Sequence, residues 1–454
     1  MTKLFAPNVP FRPAGLPFHY GWVVAIAAAM GMVASIPGQT IGINVFNGEL
    51  IRALGLTRSQ VALAYFIGTA ISGTLIYWAG KVYDVIGSRR LIVVASFALG
   101  MSLFYLSEVD WLPVRISTLV GLSSVPNWMM VSSLTLGFFL IRFTGQGFVT
   151  MAGRNMVAKW WKYHRGKVLP FSGIGVSVCF SLSPIVFYDL IQATDWRTAW
   201  QILGIACAFG FSLFGWLVYR DNPQECGLSE DAGIRPGERQ KDDPEFSVVR
   251  DMTRKEAVSS FPFWVFTGIF GLQALFITAY VFHVLDMADH IGLSSDEILG
   301  LFFPSAVIGG IISIFVGWYS DRFRLKYFAA FMASGISLSS LALLLKIDSL
   351  IIPMLVGGMS ITSGCFGPIS GAFIPRYYGV KFIGAISGVF MSTMIISSST
   401  GPLVFSLVRD YTGSYHNGFL GTLIMSLSFV IATFWANNPQ RRIKAEMEAA
   451  KRPY

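Results

Sequence analysis

Charge is what this 454-residue sequence has least of. Only 13% of its residues are Asp, Glu, Lys or Arg, about half the share found in ordinary soluble domains. Hydrophobic residues make up 54% of the chain, so the polar surface is too small for a soluble globular protein of this size. Since one helical crossing of a bilayer takes about 20 residues, the length is sufficient for a dozen membrane spans.

Several chemical motifs are also missing. The four cysteines have neither disulfide nor metal-ligand spacing; they are Cys179, Cys207, Cys226 and Cys365. Lys81 and Lys167 each follow a glycine but precede a valine, so the chain lacks a phosphate-binding loop and cannot by itself drive transport with ATP. Neither a His-Glu-x-x-His nor a Gly-x-Ser-x-Gly motif occurs. We therefore predict that the protein is not an enzyme and carries no metal or cofactor.

Long apolar runs are abundant by contrast. Twelve of them could cross a bilayer as helices, and they occupy residues 21–46, 58–79, 91–107, 128–153, 168–192, 198–219, 262–285, 296–316, 327–345, 350–375, 382–408 and 417–436. Between the sixth and the seventh run, residues 220–256 hold 7 basic and 10 acidic residues, a composition typical of a solvated linker. We predict two six-helix halves, 1–219 and 262–454, joined by a cytoplasmic linker at 220–261.

The basic residues are distributed unevenly over the loops. If the N-terminus is cytoplasmic, 27 of the 34 Lys and Arg residues lie in inward-facing segments, 6 lie in outward-facing loops and Arg142 lies inside a span. Multi-pass proteins keep Lys and Arg on the cytoplasmic side, so we predict a multi-pass cell-membrane protein with both termini in the cytoplasm. The absence of an Asn-x-Ser/Thr sequon favours a bacterial inner membrane. The net charge of +9 thus reflects topology and does not predict nucleic-acid binding.

The two halves also repeat one another weakly. A shift of 237 residues places Gly80 on Gly317 and Asp84 on Asp321, and a shift of 218 aligns later segments in the same order. Internal repeats of this kind are common in transporters. The sequence therefore predicts an all-α integral membrane protein with twelve transmembrane helices, arranged as two parallel six-helix repeats.

A glycine-rich, charged motif stands between the second and third spans. Residues 80–90 read Gly-Lys-Val-Tyr-Asp-Val-Ile-Gly-Ser-Arg-Arg and resemble the G-x-x-x-D-x-x-G-x-[RK]-[RK] signature of the major facilitator superfamily. The resemblance implies the major facilitator fold and a conformational latch formed by this loop and its echo in the second half. The latch residues that it implies are Gly80, Asp84, Gly87, Arg89, Arg90, Gly317, Asp321 and Arg322. Simple positive-inside anchoring also explains the two arginines of the first loop.

Other stretches resemble the monocarboxylate-porter and oxalate/formate-antiporter branch of that family. They are His19-Tyr20-Gly21-Trp22, Arg142-Phe-Thr-Gly145-Gln146-Gly147, Lys159-Trp160-Trp161-Lys162 and Asp221-Asn-Pro-Gln-Glu-Cys-Gly227-Leu228. The chain departs from the branch in span 8, which holds only Glu297 at its mouth, and in span 11, whose interior has no Lys or Arg. The substrates known for the branch therefore do not transfer to this chain.

Arg142 is the main anomaly among the spans. It lies about 14 residues into span 4, where an arginine costs about 2.5–3.5 kcal/mol on insertion scales and so faces a cavity or a partner. Its planar guanidinium suits a carboxylate substrate, and Gln146, one helical turn further along, could extend that site. A structural arginine bonded to helix-end carbonyls is the alternative.

Polar residues in spans 1 and 7 complete the candidate binding site. In span 1, Pro37-Gly38 precedes Gln39, Thr40 and Asn44, and a Pro-Gly pair is how transporter helices expose backbone to a cavity. In span 7, one helical sector carries three further polar residues, which are Gln273, Tyr280 and His283. An ordinary kink in span 1 and exposure to water at the end of span 7 are the alternatives.

No acidic side chain is predicted near the middle of the membrane. A coupled proton would have to be carried by His283, by a carboxylate at a span end or by the substrate, whereas exchange of anions needs no protein acid. We therefore predict a secondary active transporter of a small organic anion, a mono- or dicarboxylate, that works by alternating access through proton symport or anion exchange. An exporter of neutral or amphipathic compounds and a transporter-like sensor without flux are the alternatives.

The predicted partners are the anion, a proton or counter-anion, and membrane lipid. The sequence leaves the oligomeric state open, with a monomer as the simplest expectation.

Overall fold

A computed structural model describes residues 4–161, 165–230, 248–320, 322–345, 347–379 and 381–450. Within these ranges the regular structure is entirely helical. The chain forms two compact units, Met1–Gly237 and Glu238–Tyr454.

The described part of the N-terminal unit contains ten α-helices. They are α1 (Gly21–Ala34), α2 (Thr40–Ile43), α3 (Asn47–Leu54), α4 (Arg58–Ser107), α5 (Trp111–Val120), α6 (Asn127–Ile141), α7 (Thr150–Trp160), α8 (Arg165–Ala193), α9 (Trp196–Ile205) and α10 (Ser212–Val218). Short 3-10 helices cover Pro13–Gly15, Ile36–Gly38, Asn44–Phe46 and Gln224–Cys226, and wider π-helical turns cover Arg142–Val149 and Ala206–Phe211.

Ten further α-helices lie among the described residues of the C-terminal unit. They are α11 (Arg254–Val258), α12 (Phe261–Phe282), α13 (Val284–Ile291), α14 (Ser295–Gly300), α15 (Phe302–Ser320), α16 (Leu325–Leu345), α17 (Asp348–Tyr378), α18 (Ile383–Thr412), α19 (His416–Thr433) and α20 (Pro439–Ala450). Its core is rich in aromatic rings, of which Phe266 and Phe373 stack with centroids 4.3 Å apart. Helix α12 packs against α18, and α16 packs against both α17 and α19.

Ten stretches of the described residues are long and apolar enough to cross a membrane. They correspond to the third through twelfth predicted spans, from Val85–Ser107 to His416–Thr433. The first predicted span begins with α1, a shorter apolar helix of 14 residues. The second predicted span lies in the first part of α4. This all-helical architecture confirms the predicted fold class.

The connection between the second and third spans is shorter than the sequence suggests. The sequence predicts a loop over residues 80–90, but α4 continues through this region and is interrupted at Gly87, with φ 77° and ψ 171°. That backbone conformation favours glycine. A Cβ at Gly87 would also lie 2.7 Å from Oδ1 of Asp221. One glycine therefore makes the turn, and the signature residues before it belong to the helix.

Candidate functional site

The first predicted span is broken at the proline and glycine that the sequence singles out. Helix α1 ends at Ala34, a 3-10 turn covers Ile36–Gly38, and Gln39 is extended with φ −99° and ψ 158° before α2 begins at Thr40. The break leaves the Gly38 carbonyl outside a regular helix, and this carbonyl accepts a hydrogen bond from Nη1 of Arg142.

The break lies directly against the π-helical turn of span 4. A Cβ at Gly38 would lie 2.4 Å from the Ile141 carbonyl oxygen and 3.0 Å from Cα of Gly145. Both distances are shorter than ordinary van der Waals contact, and the 2.4 Å distance to a backbone oxygen is prohibitive, so only glycine permits this approach of the two backbones. Small residues are how membrane helices pack closely, and here they bring the broken end of span 1 to the side chain of Arg142.

Arg142 is buried among neutral groups, with only 2% of its surface exposed. Its Nη1 lies 3.4 Å from both the Gly38 carbonyl oxygen and Oγ1 of Thr40. Its guanidinium lies 5.3 Å from the ring centroid of Tyr65, whose hydroxyl is 2.6 Å from Oγ1 of Thr40. Among the described residues, no carboxylate forms an ion pair with Arg142.

The hydrogen bonding of this guanidinium is incomplete. Arginine has five N–H donors, and N–H···O bonds normally measure 2.7–3.2 Å, so both contacts of Nη1 are long. Nε of Arg142 is buried and has no partner among the described residues. The guanidinium can therefore donate hydrogen bonds to a further group. The group that fits this planar cation best is an anion with two oxygens.

Asn44 is the second incompletely bonded polar side chain at this break. It is 2% exposed, and neither Oδ1 nor Nδ2 has a partner among the described residues. Its backbone N–H donates to the Thr40 carbonyl, which places Asn44 one helical turn beyond Thr40. The amide offers one acceptor and two donors, which the described residues leave unused.

Among the described residues, neither of the other two predicted residues of this half forms a hydrogen bond with the guanidinium. Nε2 of Gln39 donates to Oγ of Ser35 at 3.1 Å, so the amide turns back toward α1. Gln146 is exposed although Arg142 is buried. The structure thus brings Arg142 and Thr40 together and adds Tyr65 to them, a residue that the sequence analysis missed. A tyrosine inside a predicted span was the signal available.

The predicted residues of span 7 occupy two environments in the C-terminal unit. Tyr280 is buried between Phe276 and Phe302, and its hydroxyl has no partner among the described residues. Gln273 is half-buried on the same helix.

His283 has a different environment at the end of α12. Its Nε2 lies 3.0 Å from the Pro402 carbonyl oxygen and 3.2 Å from Oγ of Ser406. Since a carbonyl only accepts, Nε2 carries the proton, and His283 joins α12 to α18.

The signature arginine Arg89 is also buried, with 2% exposure, and its hydrogen bonds to described residues lie inside the N-terminal unit. Nε donates to the Trp216 carbonyl at 2.9 Å, and Nη1 donates to the Ala6 carbonyl at 2.8 Å. Nη2 donates to the carbonyls of Val9 and Trp216. Arg90 is exposed and lies over the Phe5 ring.

Asp221 closes the same region from the end of span 6. Its Oδ1 accepts the backbone N–H of Arg89 at 3.1 Å, where the second part of α4 begins after Gly87. Burial raises the pKa of the Asp221 carboxyl, and hydrogen bonds from the backbone N–H groups of Arg89 and Ser88 oppose that rise. The carboxylate thus caps a helix start, where an anion is favourable.

Three of the stretches that resemble the monocarboxylate-porter branch, those that begin at His19, Lys159 and Asp221, meet in this region. Tyr20 donates to the Val218 carbonyl at 2.6 Å. Nε1 of Trp160 donates to the Arg220 carbonyl at 3.0 Å, and Nε1 of Trp161 donates to the Gly21 carbonyl at 2.9 Å. These stretches therefore build the predicted cytoplasmic end of the N-terminal unit, away from the break in span 1.

The remaining signature positions are only partly described. Gly80 and Asp84 lie in α4, and the side chain of Asp84 is outside the described part of the chain, as is Asp321. Gly317 lies in α15, and a Cβ there would make only an ordinary contact with Pro368. Arg322 is exposed with its guanidinium 5.0 Å from the ring centroid of Trp318. The latch assignment stays a prediction.

The chain is similar to known transporters over most of its length. The model of the Major Facilitator Superfamily matches residues 21–361. No curated protein matches the chain.

Two solved structures illustrate the similarity in fold. The crystal structure of a D-xylose-proton symporter has 15% sequence identity and a TM-score of 0.63, with 91% of this chain and 96% of that chain covered. A bacterial homologue of the human lysosomal transporter Spinster, in an inward-facing and occupied conformation, has 13% identity and a TM-score of 0.58 over 91% and 96% of the two chains. At such identities the likeness shows a shared fold alone. With the family model covering more than half of its residues, the chain belongs to the Major Facilitator Superfamily of membrane transporters.

Proposed function

We propose that this protein is a secondary active transporter of a small organic anion, a mono- or dicarboxylate. The single observation that carries the proposal is the buried, incompletely bonded guanidinium of Arg142 at the break in span 1. A cation in a membrane span is costly without compensation, and a bound carboxylate would supply both the missing charge and the missing acceptors.

The surroundings of Arg142 favour an anion over a neutral substrate. The groups that contact its guanidinium are a carbonyl, a hydroxyl and an aromatic ring, and none of them carries a negative charge. An Arg–carboxylate pair is stronger than a neutral hydrogen bond and is often bidentate. Asn44 and Thr40 would then bind further polar atoms of the same substrate.

The proposed transport is proton symport or anion exchange by alternating access. The substrate carboxylate can itself carry a proton, and exchange of two anions at one guanidinium needs no acidic residue. Gln39, Gln146, Gln273, Tyr280 and His283 remain proposed as further contacts. A bacterial inner membrane with both termini cytoplasmic remains the proposed location.

Solute counterflow tests the proposal in proteoliposomes that contain the purified chain. We expect uptake of at least one member of a panel of labelled mono- and dicarboxylates, and we expect the same compound to raise the melting temperature in detergent. Arg142→Gln should lower the counterflow about 10- to 100-fold, since a hydrogen bond to a charged group contributes about 1.5–3 kcal/mol.

Arg115→Gln is the matched control. Arg115 is an exposed arginine of α5 that lies over the Trp111 ring, so this variant loses the same charge away from the site and should transport normally. Normal carboxylate transport by Arg142→Gln would contradict the role of Arg142. Flux restricted to neutral compounds would favour the exporter, and ligand stabilisation without any flux would favour a sensor.

A further inference from the structure

The N-terminal segment, residues 4–11, precedes the first span and has few means of holding itself in place. It contains Pro7 and Pro10, which lack a backbone N–H and prevent a regular helix. Among the described residues, the Ala6 carbonyl accepts the backbone N–H of Val9 at 3.0 Å, whereas the carbonyls of Pro7 and Val9 accept no backbone N–H, as is usual in polyproline conformations. They are therefore available to donors on another surface.

Two buried arginines supply those donors. Arg89 donates to the carbonyls of Ala6 and Val9, as described above. Arg220 is 1% exposed, and it donates through Nε to the Pro7 carbonyl at 2.7 Å and through Nη2 to the Val9 carbonyl at 3.1 Å.

Each arginine is also anchored to the end of span 6. Nη1 of Arg220 donates to the carbonyls of Leu217 and Tyr219 at 2.9 and 2.8 Å, and Arg89 uses the Trp216 carbonyl in the same way. The forked geometry of the guanidinium lets one side chain join two backbones at once, which a lysine ammonium matches poorly.

Aromatic rings complete the contact. The ring of Phe11 lies 4.9 Å from the Arg220 guanidinium, and the ring of Phe5 lies 5.8 Å from that of Arg89. Nε1 of Trp216 donates to the Leu4 carbonyl at 3.1 Å. Proline-containing peptides are recognised in this general manner, by aromatic side chains and donors that contact free carbonyls.

We propose that Arg89, Trp216 and Arg220 form a peptide-docking surface whose ligand is the N-terminal segment of the same chain. The docked segment connects the beginning of the first span to the start of the third and the end of the sixth. In this protein Arg89 of the family signature therefore acts as a positioning residue for the N-terminal segment. The proposal does not depend on which substrate is transported.

The full-length chain provides the first test. In a Cys179→Ser background, which removes the one exposed cysteine of the described residues, Val9→Cys places a thiol in the half-buried part of the segment. Arg89→Lys keeps the charge but loses the fork, and we expect it to speed labelling by a water-soluble maleimide at least fivefold. Arg115→Lys, at the exposed arginine of α5 that lies over the Trp111 ring, should leave the labelling rate unchanged. Equal rates in both variants would overturn the proposal.

A peptide added in trans provides the second test. We expect a chain that lacks residues 1–13 to melt at a lower temperature than the full-length chain, and to bind a fluorescent peptide of residues 4–13. Binding should weaken at least tenfold when Arg89→Lys is introduced, and a scrambled peptide should not bind. Normal melting of the truncated chain together with no binding of the peptide would reject the docking surface. If the truncated chain cannot be purified, the labelling experiment decides.

Discussion

Arg142 and Arg89 are buried to the same extent, and they differ in how completely they are bonded. Both side chains are 2% exposed. Arg89 donates to three different carbonyls through Nε, Nη1 and Nη2. Arg142 makes two contacts of 3.4 Å through one nitrogen, and its Nε has no partner among the described residues.

Burial of a charge therefore does not by itself mark a binding site. A buried arginine whose donors are satisfied by the fold joins chain segments together, since its removal leaves several acceptors unbonded. A buried arginine with unused donors can gain a ligand. Paired substitutions test this distinction.

The same substitution at the two arginines should separate transport from stability. We expect Arg142→Met to reduce carboxylate counterflow about 100-fold without lowering the melting temperature, because replacing an under-bonded buried charge by an apolar residue is often neutral or stabilising. Arg89→Met should lower the free energy of unfolding by about 2–4 kcal/mol, because buried carbonyls lose their donors. Thermal unfolding and counterflow measured on both variants check this. A large loss of stability in Arg142→Met would assign that residue to the fold.

Substitution of Gly38, which lies close to span 4, should have the next largest effect on transport and stability. A Cβ in Gly38→Ala would lie 2.4 Å from the Ile141 carbonyl oxygen, so the break must move away from Arg142. Overpacking of this kind costs about 1–3 kcal/mol, and we expect reduced counterflow together with a lower melting temperature. Gly210→Ala is the control, since a Cβ there would meet nothing within 4 Å. Equal behaviour of the two variants would show that the approach is unimportant.

Asn44 allows a test in which stability and transport move in opposite directions. Asn44→Leu removes a buried amide without partners, so we expect equal or higher thermal stability. If the amide binds substrate, the apparent affinity should fall about tenfold, which corresponds to about 1.4 kcal/mol. Thr267→Val is the comparison in the other unit, because it removes a buried hydroxyl that also lacks a partner among the described residues. Unchanged affinity in Asn44→Leu would remove Asn44 from the site.

Two buried tyrosines give the smallest expected effects. The Tyr219 hydroxyl donates to the Ala27 carbonyl at 3.1 Å, whereas the Tyr280 hydroxyl has no partner among the described residues. We expect Tyr219→Phe to lower the free energy of unfolding by about 1 kcal/mol and to leave substrate affinity unchanged. Tyr280→Phe should leave the free energy of unfolding unchanged and weaken substrate binding about threefold. Substrate titrations and melting curves distinguish these outcomes, and the reverse pattern would contradict the comparison.

The fold follows from the sequence more directly than the contacts around Arg142 do. Hydropathy located the spans because a membrane requires about 20 apolar residues for each crossing, and the family signature indicated the superfamily. The boundaries near Gly87 were wrong because a helix can continue through charged residues until a glycine adopts positive φ. The break at Pro37-Gly38 was predicted because proline removes a helical hydrogen bond.

The candidate site depended on contacts between residues that are far apart in the sequence. Arg142 was conspicuous alone, because charges inside spans are rare. Tyr65 was not conspicuous in the sequence, because aromatic residues are common in membrane-spanning helices. Four stretches resemble the monocarboxylate-porter and oxalate/formate-antiporter branch. Nothing in the sequence indicated that three of them would meet at one end of the N-terminal unit.

Composition and local pattern determined that this chain is a twelve-span helical membrane protein, because partition between lipid and water acts on each segment separately. Only the tertiary structure decided which buried arginine has its guanidinium donors bonded by the fold and which has donors left unbonded. Hydrogen-bond satisfaction depends on the positions of donors and acceptors to within a few tenths of an ångström. Here those positions follow from how the glycines and carbonyls of distant segments pack together.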